Sequence, residues 1–219
     1  MGWISQNEKI KGDNIYHRYL NFPFEIEKYH LMETVPDSVQ HVDINPYRNP
    51  LIDSLHKELG LFIHHTEVFY TPPNGGELPI HTDEATYDNR AKINITWGPE
   101  VGTVRWWTSN KAKPITDLDS AKEMLGAELQ PDQDFSKRQH SNILAKKEDC
   151  SLVHEANTNT LSLVNAGQLH STWNPHPTEG RWTLCFVPGS KSIRNGAHLT
   201  FQEACEVYKD YIIGDDYGN

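Results

Sequence analysis

The chain has 219 residues, 20 lysines and arginines against 30 aspartates and glutamates, and a net charge of −10. That length suits one well-buried domain, here taken as residues 1–219. The acidic balance argues against a general nucleic-acid binder, which needs a dense basic surface. Three scattered cysteines (Cys150, Cys185, Cys205) cannot form a disulfide framework and predict a reducing, cytoplasmic setting. No apolar run is long enough to span a membrane, and Met1–Asp13 lacks the apolar core of a signal peptide.

Residues 1–45 show no strong period, but Tyr16, Tyr19, Phe22, Phe24 and Tyr29 predict that they pack against the rest of the chain. A helix is predicted from Pro50 to Leu59. Asn49 is its cap, Pro50 takes the first position, Gly60 stops it, and Leu51, Ile52, Leu55 and Leu59 form its apolar stripe. From residue 61 the period becomes two. Glu67–Tyr70 reads as a strand, and Thr71-Pro72-Pro73-Asn74-Gly75-Gly76 as a turn. Leu78–Asp83 resumes extended structure. Ala91–Trp97 alternates, with Ile93, Ile95 and Trp97 on one face and Lys92, Asn94 and Thr96 on the other.

Val101–Thr108 is a further strand. Residues 109–142 read as a long polar loop able to close over a site, with a short helix near Asp117–Leu125. Thr160–Asn165, Leu169–Asn174 and Arg181–Pro188 read as three more strands. A last helix runs from Thr200 to Tyr211, where Thr200 and Glu203 make a capping box. The sum is a mainly β chain: a jelly-roll core over about 61–189, braced by N- and C-terminal segments, 1–60 and 190–219, that carry helices. Neither a Rossmann nor a P-loop phosphate motif is present.

His81-Thr82-Asp83 closes the second of these strands. Residues two apart on a strand share a face, so the imidazole and the carboxylate point together. A second, distant histidine would complete a facial triad for Fe(II). The candidates are His140, His154, His170, His176 and His198. His170 is preferred because Leu169–Asn174 is a credible strand between Gly167 and Pro175. A hairpin centred on Pro175 and His176 would set His170 opposite Arg181. Arg181, Thr183, Cys185 and Val187 share one face of the final strand. A guanidinium turned into a barrel needs a partner, and a ligand carboxylate would serve.

These residues resemble the Fe(II)/2-oxoglutarate-dependent dioxygenase superfamily. Its signature of H-x-D, a distal His, and an Arg about ten residues on with Ser or Thr two beyond is met by His81-Thr82-Asp83, His170 and Arg181-Trp182-Thr183. The approach Val68–His81 is similar to that of prolyl-4-hydroxylase-like members, and the likeness covers roughly residues 66–189. It implies a double-stranded β-helix (jelly roll). It further implies that His81, Asp83 and His170 bind Fe(II), and that Arg181 with Thr183 holds the far carboxylate of 2-oxoglutarate. Asn94 or Tyr70 is placed to touch that co-substrate. Dioxygen is the other reactant, and a peptidyl residue, amino acid or small molecule the substrate. Arg90 and Asn174 are also similar to the aspartyl/asparaginyl hydroxylase branch, which usually lacks the carboxylate ligand present here. Two other readings stand beside it. One is a cupin-like metal protein or isomerase that does not use 2-oxoglutarate, with Glu84 as a competing ligand. The other is a metal-free jelly-roll binding protein. Trp97, Trp106, Trp107 and Trp173 are candidates for pocket walls.

Overall fold

The computed structural model describes residues 14–36, 40–44, 49–74, 76–83, 89–115 and 142–214. The strands are β1 (His17–Leu20), β2 (Gln40–Ile44), β3 (Phe62–Thr71), β4 (Gly76–Glu77), β5 (Ile80–His81), β6 (Ala91–Trp97) and β7 (Thr103–Thr108). They continue as β8 (Lys113–Pro114), β9 (Ile143–Ala145), β10 (Ser151–Ala156), β11 (Ser162–Asn165), β12 (His170–Asn174), β13 (Arg181–Gly189) and β14 (Ile212–Ile213). The α-helices are α1 (Pro50–Glu58), α2 (Lys191–Arg194) and α3 (Phe201–Val207). The short helix expected near 117–125, and most of the proposed lid, lie outside the described residues.

The strands form two antiparallel sheets. The first has the order β14-β1-β11-β6-β13-β3-β2, and the second β10-β7-β12-β5-β9-β8, with β4 added to β12. The chain changes sheet from β3 to β4 and β5, then to β6, to β7, and again from β10 to β11, β12 and β13. That crossing pattern is a jelly roll. In the first sheet β13 is central, paired with β6 on one side and β3 on the other.

Alternation divides this sheet as the sequence of β6 predicts. Ile93, with Val68, Leu184 and Phe186 of its neighbours, joins the main apolar cluster on the outer face. Lys92 and Asn94 turn toward the second sheet and line a cavity with Thr183 and Cys185. α1 packs on β3, and α3 packs on β6 and β11, closing the outer face. Burial of these side chains, each contributing about 1.5–3 kcal/mol, holds helices to sheet.

Both predicted helix starts are present. Asn49 Oδ1 accepts from the amides of Leu51 (2.9 Å) and Ile52 (3.4 Å). Thr200 Oγ1 accepts from Glu203 N at 3.2 Å, while Glu203 Oε2 accepts from Thr200 N at 2.8 Å. Leu51 departs from the expected stripe: it is 53% exposed, and His56 is buried in the face with Ile52 and Leu55. The N-terminal support is also more than helix and irregular chain. β1 pairs with β11, and β2 with β3, so two strands of this segment complete the first sheet and cover edges otherwise open to pairing.

The expected β12–β13 hairpin ladder does not form. β12 pairs with β7, β4 and β5 in the second sheet, while β13 pairs with β3 and β6 in the first. Asn174 is the reason. Its buried Nδ2 donates to Pro72 O (3.1 Å) and Glu179 O (2.8 Å), tying the connection into a crossing between sheets. His170 therefore lies opposite His81 and Trp106, and Arg181 opposite Thr71.

Two buried histidines set an acid limit on this fold. Burial, reinforced by His154 and Arg18, pushes His17 down to about 3. Burial also lowers His56, whose Nδ1–H donates to Ile52 O at 2.8 Å while Nε2 accepts from the Tyr208 hydroxyl at 2.8 Å. Unfolded, each takes a proton near its ordinary 6.5; folded, each resists it. Their contribution is present above pH 6.5 and is lost as pH falls below it, for His17 down to about 3. The slope approaches about 1.4 kcal/mol per pH unit for each histidine. Melting temperatures should fall between pH 7 and pH 5, before most carboxylates titrate; a flat profile over that interval would contradict the assignment.

Candidate metal centre

The Thr82 hydroxyl accepts from Ile143 N at 3.0 Å, and Thr82 N donates to Ile143 O at 2.9 Å. Thr82 is thereby buried under β9, and alternation turns His81 and Asp83 the other way. Asp83 N donates to Ala166 O at 3.1 Å, which fixes the residue after the strand. His170 opens β12 directly across from His81, and the ring centroids are 4.6 Å apart.

Both imidazoles are oriented by the main chain. His81 Nδ1 lies 2.7 Å from Pro79 O, and His170 Nδ1 lies 2.9 Å from Gln168 O. A carbonyl only accepts, so Nδ1 carries the proton in each ring and Nε2 keeps its lone pair. Those Nε2 atoms lie 3.5 Å (His81) and 3.7 Å (His170) from Asp83 Oδ1. One ligand atom from each of the three residues falls within 4.8 Å of the others. Two imidazole nitrogens and a carboxylate oxygen converging on one point suit a divalent metal such as Fe(II) and leave one side open. Among the described residues no other group of three or more such side chains comes together this way.

Charge in the site is arranged for ligation. Burial, and then the neighbouring His81, push His170 down to about 4, so the ring is neutral at physiological pH. Burial alone would raise Asp83, but the Lys92 ammonium overrides it and, with the two imidazoles, holds the carboxyl well below its usual range. Lys92 Nζ lies 2.7 Å from Asp83 Oδ2 and also pairs with Glu67 Oε2. Those two carboxylates raise Lys92 against the opposing effect of its burial.

The cluster opens on a cavity between the sheets with about 480 Å³ of empty space, part of it continuous with solvent. Asn94 and Thr183 line it. Asn94 Oδ1 is buried without a hydrogen-bond partner among the described residues. Thr183 Oγ1 is 2.8 Å from Thr96 Oγ1, which is 2.8 Å from Thr158 Oγ1. Phe69, Val104, Trp106 and Val164 supply apolar wall.

No protein-family model matches the chain, and no curated protein matches it. Among solved structures it is similar to peruvianin-I, a cysteine peptidase from Thevetia peruviana latex, at 11% identity over 78% of this chain and 87% of that one, with a TM-score of 0.33. It is also similar to a recombinant oxalate oxidase in complex with glycolate, at 15% identity and a TM-score of 0.27, over 70% of this chain and 52% of that one. The matched region thus spans about half of the oxalate oxidase chain. Neither superposition is close enough to bear on the chemistry of the site.

Arg181 is buried on the inward face of β13, two residues from Thr183. Its Nη1 donates to Thr103 O (3.4 Å) and Trp173 O (3.3 Å). Its Nε and Nη2 are buried without a partner among the described residues. Burial lowers it to about 10, which leaves it a cation at neutral pH. Gly102 makes the room: a Cβ there would stand 2.2 Å from Arg181 Cδ and 2.4 Å from Nε. Gly102→Ala should therefore displace the guanidinium. Any ligand affinity that depends on Arg181 should drop while metal affinity holds, as parallel titrations of metal and carboxylate ligand would read. Equal loss of both would place Arg181 elsewhere in the chemistry.

Tyr70 does not reach the cavity. It pairs with Trp182, their rings are 4.9 Å apart, and both belong to the outer apolar cluster. Its phenol lies over Gly180, where a Cβ would come within 1.9 Å of the hydroxyl. Tyr70 thus supports the start of β13 from behind. The other histidines have separate settings. His154 stacks on Tyr16, His198 lies 3.1 Å from Arg90 Nη2, and His176 accepts amides in its own turn. His140 and Glu84 lie outside the described residues. Of the four tryptophans named as candidate pocket walls, Trp106 lines the cavity. Trp107 joins a satellite cluster, Trp173 lies 3.5 Å beneath Arg105, and Trp97 packs on the outer core.

Sequence reasoning missed Lys92 and Glu67. A signal was available, because Asn94 facing inward obliges Lys92 to do so. Glu67 follows from the register, since it lies opposite Cys185 on the inward face of β13.

Proposed function

We propose that the chain is an Fe(II)- and 2-oxoglutarate-dependent oxygenase that hydroxylates a C–H bond of a peptidyl residue, amino acid or small molecule. Substrate, O2 and 2-oxoglutarate would give hydroxylated product, succinate and CO2. The observation that carries the reading is the pairing of a His81–Asp83–His170 cluster, both Nδ1 atoms turned to main-chain carbonyls, with a buried arginine on the inward face of the opposite sheet. Two of that arginine's donor atoms lack a partner among the described residues. An unpaired buried guanidinium is costly, and a carboxylate ligand would relieve the cost.

His81 Nε2, His170 Nε2 and Asp83 Oδ1 would hold the metal. Bound Fe(II) would supply the oxygen and redox chemistry, which side chains lack. Arg181 would grip the distal carboxylate of the co-substrate through Nε and Nη2, with the Thr183 hydroxyl beside it. Asn94 would take part through its unpaired amide. Phe69, Val104, Trp106 and Val164 would limit water around the reacting groups.

A second reading, a cupin-like metal protein that does not use 2-oxoglutarate, draws on one observation. Arg181 Nη1 already donates to two main-chain carbonyls, and its side chain is not part of the cavity wall. Thermal unfolding separates the two. Under the first reading, 2-oxoglutarate raises the melting temperature only when Fe(II) or Mn(II) is present. Stabilisation by metal with no further effect of 2-oxoglutarate favours the second.

A further inference from the structure

The cavity contains a buried lysine that neither metal ligation nor carboxylate binding requires. Lys92 is 4% exposed and lies between two carboxylates, Asp83 and Glu67. Taking an ammonium out of water is costly even after relaxation, and partners must offset that cost. The geometry divides the two oxygens of Asp83. Oδ1 faces the Nε2 atoms of His81 and His170, at 3.5 and 3.7 Å. Oδ2 faces Lys92 Nζ at 2.7 Å and makes no well-angled hydrogen bond among the described residues, so an ion pair holds it. Glu67 backs the lysine from the far side, and its other oxygen accepts from His65 Nε2 at 3.0 Å. A carboxylate free to rotate can bind a metal through one oxygen or both.

We propose that Lys92, braced by Glu67, is a positioning residue that restricts Asp83 to one-oxygen ligation and so preserves the open side of the metal. A second oxygen on the metal would consume a position that incoming ligands need. Glu67 has a second effect. Lys92 and Asp83 alone are neutral together; adding Glu67 gives the trio one net negative charge, which favours a dication. This proposal rests on reading the cluster as a metal centre and is independent of 2-oxoglutarate.

Mn(II) is the probe, and water-proton relaxation counts the exchangeable waters on the bound ion. Wild-type protein should show about three waters per bound Mn(II). The Lys92→Met/Glu67→Met double variant removes one positive and one negative charge, so the charge of the site is unchanged and only the hold on Asp83 is lost. Replacing both members by apolar residues avoids leaving one buried charge unpaired. Mn(II) should still bind the variant, with the count reduced by about one. An unchanged count in the variant would overturn the proposal. So would a count of about two in the wild type, because Asp83 would then already bind through both oxygens; that measurement needs no variant to fold. Failure of the wild type to bind Mn(II) or Fe(II) would sink the metal-centre reading itself.

Discussion

Arg181→Met should weaken 2-oxoglutarate binding by on the order of 100-fold or more while leaving the ligand-free protein at least as stable as wild type. The first half follows from two charge-assisted hydrogen bonds, each worth about 1.5–3 kcal/mol, where about 1.4 kcal/mol is tenfold in affinity. The second half follows from what the guanidinium does without a ligand. Its Nε and Nη2 are buried and unpaired among the described residues, and its two main-chain bonds are long, at 3.3 and 3.4 Å. Each unmet donor costs about 1–3 kcal/mol, against about 0.5–1.5 kcal/mol returned by each ordinary hydrogen bond. A flexible apolar side chain can fill the space above Gly102. Calorimetric titration of metal-loaded protein reads the affinity, and melting of the metal-free protein reads the stability. A variant that melts well below wild type and keeps its 2-oxoglutarate affinity would make Arg181 a structural residue.

Asp83→Ala should lower Fe(II) affinity by more than about 100-fold, beyond what loss of an outer-shell partner costs. It removes the anionic ligand and leaves only the two imidazoles. The fold should survive, since Lys92 keeps Glu67 as a partner and the repulsion between the two buried carboxylates is gone. Metal content after anaerobic loading and desalting measures the effect. Retention of Fe(II) at wild-type stoichiometry would show that other side chains hold it.

Much of this arrangement is legible one strand at a time. The alternation of Lys92 to Trp97 appears unchanged in β6, and the caps at Asn49 and Thr200 form as their residue types dictate. His81 and Asp83 share a face for the same local reason. What lies between strands is less legible. Tyr70 and Phe69 are equally good strand residues, and only the pairing of Tyr70 with Trp182 shows which one turns inward. Pro175 and His176 look like a hairpin tip. Three hydrogen bonds from Asn174, reaching Thr71 and Pro72 about 100 residues earlier and Glu179 just beyond, send the chain to the other sheet instead. The ion pairs of Lys92 span 9 and 25 residues, so no local pattern announces them. β14 and β2 are the edges of the first sheet and β1 lies just inside β14; these strands are too short to carry a pattern of their own, and only their neighbours make them strands.

The central claim is that the chain takes Fe(II) on His81, Asp83 and His170 and 2-oxoglutarate on Arg181. An anaerobic titration of 2-oxoglutarate into Fe(II)-loaded protein, followed in the visible, tests it most directly. The account predicts a saturable metal-to-ligand charge-transfer band that is absent from Asp83→Ala and shifted to much higher 2-oxoglutarate concentration in Arg181→Met. Iron bound at these residues with no such band at any 2-oxoglutarate concentration would contradict it.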